Sequence, residues 1–218
     1  MPVLNIAMVG TDDLAREIAK PTDQRDVHTY VHKESGSDGP RILSLIRPAK
    51  YPDRLRPLLN ALSAARVGII EISEINATLG ETLVAFASAN ITKGIGIINA
   101  PPGGWVDEEQ AKMLFQQAGL EKWIFASTDG IELRNKLYQF MDDIADDLST
   151  IANAPLVIPV DQHFNVKGIG LVAIGYVQSG TVNVHDEVLL LPANGTGNAK
   201  SLQVMDDDVP SAVAGDRV

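Results

Sequence analysis

The fold is decided by the stretch Val3-Leu-Asn-Ile-Ala-Met-Val-Gly10-Thr-Asp-Asp-Leu-Ala-Arg-Glu-Ile-Ala-Lys20. It opens with an apolar run that stops at Gly10, which is typical of a buried strand. Residues 12–20 begin with two acids, continue with helical spacing and stop before Pro21, which predicts a helix. A strand, a short turn and a helix in this order predict the first unit of an open α/β sheet.

Strand and helix patterns continue to alternate along the chain. Apolar or alternating runs predict strands at Val27–His32, Arg41–Ile46, Val67–Ile72, Gly94–Asn99 and Lys122–Ala126. Helical periodicity predicts helices at Asp53–Ala64, Ala77–Ala89, Asp107–Ala118 and Gly130–Leu148. Strands that alternate with helices predict a parallel, doubly wound α/β domain over residues 1–150.

The pattern changes after Ala154, where helical periodicity disappears. Short strand candidates follow at Leu156–Val160, Leu171–Val177, Thr181–Val184, Glu187–Leu191 and Ala199–Gln203. Turn residues such as Lys167-Gly168 separate them. Many short strands with turn signals predict an all-β barrel over residues 151–218, joined to the first domain by a linker at Thr150–Pro155.

Composition bounds the function. The 218-residue chain is 45% hydrophobic, so it can build a buried core. Its net charge of −10 disfavours a general nucleic-acid groove, and with it DNA binding, but leaves a local contact with a tRNA end open. The absence of cysteine excludes disulfides and Cys-ligated zinc, and we expect no metal site. No apolar run approaches the roughly 20 residues of a membrane span, so we expect a soluble cytoplasmic protein without membrane contact.

The turn after the first strand stands where an open parallel sheet binds its ligand. A phosphate loop would have the pattern G-x-x-x-x-G-K-[S/T] at this point. Gly10 fits, but Ala15 replaces the second glycine, Arg16 the lysine and Glu17 the hydroxyl residue. Alanine resists positive φ, arginine changes the geometry of the charge, and a glutamate would face the phosphates.

Two interpretations of this turn are open at this point. The acids at positions 12 and 13 add negative charge where phosphates would sit, which indicates a degraded phosphate loop. Alternatively they only cap a helix, and Gly10 only ends a strand.

The second part of the chain carries a more specific pattern, Pro159-Val-Asp-Gln-His-Phe-Asn-Val-Lys-Gly-Ile-Gly-Leu-Val-Ala-Ile-Gly-Tyr-Val-Gln-Ser-Gly-Thr-Val-Asn-Val-His-Asp-Glu187. It closely resembles domain 2 of translational GTPases, most of all SelB and elongation factor Tu, from about Leu156 to Val218. The resemblance implies that the preceding α/β domain is a P-loop GTPase-like domain. Since the family's barrel continues further and a third barrel usually follows, the resemblance also implies a truncated chain.

The motifs that the resemblance implies for the first domain are eroded. Where the family has Asp-x-Pro-Gly-His, this chain has Arg47-Pro-Ala-Lys50-Tyr51, with Tyr51 at the position of the catalytic histidine. Of the guanine motif Asn-Lys-x-Asp only Asn99 remains, and Ser127 stands in the final motif. The resemblance therefore implies a GTPase-like fold that has lost its chemistry, with no catalytic residue. A set of vestigial nucleotide-binding positions is left: Gly10, Ala15, Arg16, Glu17, Arg47, Lys50, Asn99 and Ser127.

This combination of an intact second domain and an eroded first one resembles an archaeal SelB-like paralogue group, which includes the factor proposed for pyrrolysine insertion in methanogens. In the family the aminoacyl end of tRNA docks near domain 2. The matching positions are Asp161, Gln162, Phe164 and Ile174. Phe164 either stacks on a base or is a core residue at the start of a strand.

Three functions are consistent with these residues. The first is a translation-factor-like protein that binds tRNA, the ribosome or another translation factor without a GTP cycle and is not an enzyme. The second is a divergent elongation factor that still binds GTP and Mg²⁺, with Arg16 holding phosphate and Asn99 the base. The third is a protein-interaction scaffold that keeps only the fold. The first and third predict no cofactor.

Overall fold

The computed structural model describes residues 3–24, 27–36, 39–204 and 207–218, without the side chains of residues 146–149. The chain divides into two compact units, Met1–Asp143 and Ile144–Val218. The predicted boundary lies at residue 150, a few residues further along the chain.

One sheet runs through the first unit. Its strands are β1 (Val3–Val9), β2 (Lys20–Gln24), β3 (Val27–Gly36), β4 (Gly39–Pro48), β5 (Val67–Ile72), β6 (Gly94–Ile98) and β7 (Ile124–Ala126). Their spatial order is β2-β3-β4-β1-β5-β6-β7. Strands β4, β1, β5, β6 and β7 are parallel, whereas β2 and β3 run antiparallel to their neighbours at one edge.

The sheet is therefore mixed, and the prediction of an all-parallel sheet is wrong at this edge. β3 and β4 form a hairpin in which Gly36 pairs with Gly39. Two residues cannot make the long crossover that parallel neighbours need. The first helix also ends earlier than predicted, and Lys20 joins β2. The ring of Pro21 disfavours helical geometry in the residue before it.

The helices of the first unit are α1 (Asp12–Ile18), α2 (Leu55–Ala64), α3 (Ala77–Ser88), α4 (Glu108–Gln117) and α5 (Gly130–Asp143). α1 packs on α5, and α3 packs on α4. Right-handed connections between parallel strands place α2, α3 and α4 on the same face of the sheet. The core lies between these layers and contains the fully buried Leu4, Ile6, Ile69, Phe86 and Ile95. None of the helices in the described residues is long and apolar enough to cross a membrane.

The long helix predicted over Gly130–Leu148 is two helices, because α6 (Ala145–Ala152) begins after a break at Ile144. A continuous helix would align acids four residues apart, since positions 142, 143, 146 and 147 are all aspartate. Like charges at this spacing destabilise a helix.

The second unit continues after α6 with short antiparallel strands. They are β8 (Val160–Val166), β9 (Gly170–Gly175), β10 (Thr181–Asn183), β11 (Glu187–Leu190), β12 (Gly195–Asn198), β13 (Leu202–Val204), β14 (Asp207–Val209) and β15 (Ser211–Val213). They pair as β8-β9, β10-β15, β11-β12 and β13-β14 around a core of Val177, Val182, Leu202, Val204 and Ala212. The predicted β structure is confirmed, and its closure into a barrel stays a prediction.

One predicted strand of this unit is wrong. Within Leu156–Val160 only Val157 makes an isolated bridge, to Ser179, and Val160 already belongs to β8. Pro155 precedes the segment and Pro159 lies within it, and neither has an N–H group for a ladder.

A close approach of aromatic rings makes a glycine essential in the first unit. A Cβ atom added at Gly68 would lie 2.3 Å from Cη2 of Trp123 and 2.6 Å from Cε1 of Phe86. The two rings pack edge to face with centroids 5.4 Å apart, and Nε1 of Trp123 donates to the carbonyl oxygen of Ile91 at 3.0 Å. The ring cluster therefore cannot move aside without losing this bond.

We expect Gly68→Ala to lower the free energy of unfolding by about 1–3 kcal/mol, the cost of overpacking a core. The matched variant is Gly80→Ala, because a Cβ at this position of α3 meets nothing within 4 Å. Gly80→Ala should raise the free energy of unfolding by about 0.5–1 kcal/mol, since alanine loses less backbone conformational freedom than glycine when a helix forms. Urea unfolding of both variants measures the difference, and equal stabilities would contradict this account of the core.

Candidate functional site

The carboxyl ends of β1, β4, β5 and β6 meet at one edge of the first unit's sheet, as parallel strands must. They bring together Gly10, Arg47, Glu71 and Asn99, which line a cavity of about 490 Å³. Sequence reasoning predicted three of these four residues. Glu71 was missed.

A single peptide group forms the centre of this edge. It joins Gly10 to Thr11. Nε of Arg47 donates to its carbonyl oxygen, on Gly10, at 2.6 Å. Oε2 of Glu71 accepts from its N–H group, on Thr11, at 2.5 Å. A guanidinium and a carboxylate thus hold both polar ends of one peptide, which fixes its orientation.

Glu71 connects three strand ends. Besides the bond to Thr11 after β1, its Oε1 accepts from Nδ2 of Asn99 after β6, at 2.6 Å. A Cβ added at Gly10 would lie 2.8 Å from Oε2 of Glu71 and 2.9 Å from its Cβ, so only glycine lets the glutamate lie against the turn. The sequence signal was present, because Glu71 is the one charged residue in the otherwise apolar strand Val67–Ile72.

The turn after β1 is too short for a phosphate loop. Thr11 is the N-cap of α1, and its Oγ1 accepts from the N–H group of Leu14 at 3.3 Å. The N–H group of Ala15 already donates to the carbonyl oxygen of Thr11, and the Ala15 side chain is fully buried. A phosphate loop needs several backbone N–H groups free to point at the ligand. Here the N–H groups of Leu14 and Ala15 donate to Thr11, and the N–H group of Thr11 donates to Glu71.

The charged residues of α1 are also engaged. Nε of Arg16 donates to Oδ2 of Asp12, and the Tyr30 hydroxyl donates to Oδ1 of the same carboxylate. These bonds, first from Tyr30 and then from Arg16, hold the pKa of Asp12 below its usual value. Burial, followed by the bond to Asp12, raises the pKa of Tyr30 to about 12. The side chain of Glu17 is exposed. The backbone carbonyl oxygen of Glu17 accepts from Arg134 at 2.7 Å.

The remaining positions of the eroded motifs lie apart from the turn or have other partners. The Tyr51 hydroxyl lies 2.9 Å from Oγ1 of Thr82, and burial raises the pKa of this phenol. Lys50 is exposed. Ser127 donates to Oε2 of Glu132 at 2.5 Å and accepts from the N–H group of Asp129. In the parts of the chain that are described, no group of three His, Cys, Asp or Glu residues could hold a metal ion.

The residues matched to the aminoacyl end lie on one hairpin of the second unit. Gln162 of β8 pairs with Ile174 of β9, and Phe164 lies two residues further along the same face. The register shifts between Val160 and Gln162, so Asp161 is the extra residue of a bulge. Phe164 is 43% exposed in the middle of its strand, so its interpretation as a core residue is wrong.

The residues at the strand ends differ from those with which a phosphate loop holds phosphates and Mg²⁺. The N–H groups of Thr11, Leu14 and Ala15 already have acceptors, and the acceptor of Thr11, the Glu71 carboxylate, would repel phosphate oxygens. Asn99, the remaining residue of the guanine motif, donates to Glu71. The polar groups at this edge bond to one another, so the surface is formed without a ligand.

Several known proteins are similar to the chain in sequence. No protein-family model matches the chain. Over its full length it is 29% identical to an uncharacterised protein of Methanocaldococcus jannaschii, of which it covers 67%. It is 38% identical over 87 residues, 40% of the chain, to the selenocysteine-specific elongation factor of the same organism, of which it covers 18%. It is 36% identical over 64 residues, 29% of the chain, to elongation factor 1-alpha of Methanosarcina barkeri, 15% of which is covered.

Solved structures of similar fold cover the whole chain. A bacterial selenocysteine-specific elongation factor superposes with a TM-score of 0.75 at 23% identity, and the chain covers 41% of it. Apo SelB from Methanococcus maripaludis superposes with a TM-score of 0.71 at 20% identity, with 52% covered. The fold is thus a GTPase-like α/β domain followed by β structure. The chain spans about half the length of these structures.

The bond between Glu71 and Thr11 can be tested at one amide. We expect Glu71→Ala to increase hydrogen exchange of the Thr11 amide, because this amide loses its acceptor. The matched variant is Glu74→Ala, whose carboxylate lines the same cavity but accepts from Asn76 at 2.6 Å. Amide exchange followed by NMR should show a faster Thr11 signal in the first variant only, by about tenfold for a charge-assisted bond. An unchanged Thr11 rate in Glu71→Ala would contradict the contact.

Proposed function

Since the chain is a relative of the SelB- and elongation factor Tu-like translational GTPases, we propose that it is a translation-factor-like protein that works without GTP. It binds tRNA, the ribosome or another translation factor in the cytoplasm, and neither binds nor hydrolyses a nucleoside triphosphate. The observation that carries this proposal is the carboxylate of Glu71 on the N–H group of Thr11.

Electrostatics support the loss of the nucleotide. In a phosphate loop, backbone N–H groups and a lysine offset the charge of the phosphates. In this chain the N–H group of Thr11 already binds a carboxylate, and acids follow at Asp12 and Asp13. A triphosphate would have to displace Glu71 and then lie beside it. Both steps oppose binding.

The divergent GTP-binding alternative is less well supported, because the two residues that it needs are engaged. Arg16 would hold phosphate, but it donates to Asp12 within its own helix. Asn99 would hold the base, but it donates to Glu71. The scaffold alternative keeps the fold without the tRNA contact, so a tRNA-binding experiment separates it from the main proposal.

We predict no heat beyond dilution when the chain is titrated with GTP, GDP or ATP, each with Mg²⁺, in a calorimeter. The physical reason is that the N–H group of Thr11, directly after β1 and Gly10, already donates to the Glu71 carboxylate. Thermal unfolding with and without each nucleotide is the control, because a ligand that binds the folded state raises the melting temperature. A submicromolar dissociation constant for any of the three would overturn the proposal.

For the tRNA contact we predict that the chain shifts aminoacylated tRNA in a gel at low salt and that Phe164→Ala weakens this binding about tenfold, as the loss of a stacked base would. The matched variant is Leu171→Ala. Leu171 is 65% exposed on the same hairpin, but it pairs with Asn165 and so lies on the opposite face from Phe164. Negligible binding of the unaltered chain at low salt would favour the scaffold function instead.

A further inference from the structure

The cavity at the carboxyl ends of the strands contains charged groups with bonding capacity to spare. Its volume of about 490 Å³ lies within the range of small-molecule sites, and an open α/β sheet binds its ligands at this edge. Three charged side chains line it, the guanidinium of Arg47 and the carboxylates of Glu71 and Glu74. One positive and two negative groups give the lining a net charge of −1.

Two oxygen acceptors of this lining are open. Nδ2 of Asn76 donates to Oε1 of Glu74, and Nδ2 of Asn99 donates to Oε1 of Glu71, each at 2.6 Å. Within the described parts of the chain, Oε2 of Glu74 and Oδ1 of Asn99 have no hydrogen-bond partner. Both residues line the cavity, so these oxygens can accept from an ammonium group.

Tyr51 adds a third acceptor. The buried Thr82 donates its one hydroxyl proton to the carbonyl oxygen of Thr78 at 2.7 Å. In the 2.9 Å contact between the Tyr51 hydroxyl and Oγ1 of Thr82, the tyrosine is therefore the donor. The phenol oxygen keeps its lone pairs for a further donor. All three residues line the cavity.

Arg47 offers the complementary group, a donor for an anion. Its Nε donates to the carbonyl oxygen of Gly10, and Nη1 lies 3.5 Å from Nδ1 of His28. Nη2 has no partner among the residues that the structure describes. A guanidinium group with open N–H groups binds a carboxylate strongly, because the hydrogen bond is charge-assisted.

The open cation and the open acceptors lie on different sides of the same turn. β1 lies between β4 and β5 in the sheet, so Arg47 of β4 and Glu71 of β5 flank the turn that begins at Gly10. Neighbouring strands are about 4.8 Å apart, which separates β4 from β5 by about 10 Å. A ligand that uses both ends must carry its own charges apart from each other.

We infer that this cavity binds a free α-amino acid with a cationic side chain, such as lysine. The α-carboxylate of the ligand binds Arg47, its α-ammonium group binds Glu71, and its side-chain ammonium binds the open oxygen of Glu74. One carboxylate and two ammonium groups complement one guanidinium and two carboxylates. This inference goes beyond the proposed function and does not depend on it, because a chain without a GTP cycle need not bind an amino acid.

The apolar part of the lining supports an organic ligand over a metal ion. Leu79, Pro52, Pro101 and Pro102 line the cavity, and they provide a surface for the methylene stem of a lysine. In the described part of the chain, no group of three His, Cys, Asp or Glu residues could hold a metal ion. The open guanidinium of Arg47 would also repel a divalent cation.

The first test compares ligands that each lack one charge. We expect millimolar lysine to raise the melting temperature of the full chain, because a ligand that binds the folded state stabilises it. Cadaverine lacks the carboxylate and norleucine lacks the side-chain ammonium group. Each should bind at least about tenfold more weakly than lysine, since each loses a charge-assisted contact. No effect of lysine, or equal binding of the three compounds, would overturn the inference.

A variant tests the contact with Glu74. We expect Glu74→Gln to weaken lysine binding about tenfold and to leave norleucine binding unchanged, because norleucine has no group for this carboxylate. Loss of both would indicate damage to the cavity. The matched variant is Glu121→Gln, which makes the same charge change at an exposed residue outside the cavity and should bind lysine like the unaltered chain. Unchanged lysine binding by Glu74→Gln would contradict the assignment of the side-chain ammonium group.

A further measurement uses the unaltered chain. Lysine should shift the NMR signals of the side-chain amides of Asn76 and Asn99 and of the Thr11 backbone amide, and shifts confined to other residues would overturn the inference. Lysine with both its α-amino and α-carboxyl groups blocked should not compete. If the blocked form binds as tightly as free lysine, the occupant is a lysine side chain of another protein and the inference is wrong. Nucleotide titration tests the proposed function separately.

Discussion

One peptide group organises the strand ends of the first unit. Arg47 donates to the carbonyl of Gly10, and Glu71 accepts from the N–H group of Thr11, so both ends of the peptide between β1 and α1 are satisfied by side chains. In a nucleotide-binding relative this position would offer its N–H groups to a ligand. In this chain the protein supplies the anion itself. The early start of α1 and the use of Asn99 as a donor to Glu71 fit this arrangement.

The packing of the first unit's core is separate from the polar groups at the strand ends. The core that holds the sheet together consists of apolar strands and helix faces, and none of it requires a nucleotide. Of the replaced motif residues, Arg47 and Tyr51 line the cavity at the strand ends, whereas Ala15, Arg16 and Glu17 lie on α1. Fold and site are thus separable, because the core is set by apolar packing and the site by a few side chains at one edge.

Much of the fold was predictable, because periodicity reports which faces are buried. β1 and β5 have the predicted bounds, and α2 and α3 differ from theirs by a residue or two. The antiparallel edge and the break at Ile144 were not foreseen, and the exposure of Phe164 was one of two open alternatives, since all three depend on pairing and packing that a local pattern does not contain. Glu71 was missed for the same reason. Its partner Thr11 is 60 residues away in sequence.

The most direct measurement is a crystal structure of the chain grown with a large excess of a non-hydrolysable GTP analogue and Mg²⁺. The account predicts that the Glu71 carboxylate stays on the Thr11 N–H group, with Arg47 on the Gly10 carbonyl, and that no phosphate density appears at the turn. Phosphates bound along Gly10–Glu17 with Glu71 displaced would contradict it, because the same N–H groups cannot serve the carboxylate and the ligand together.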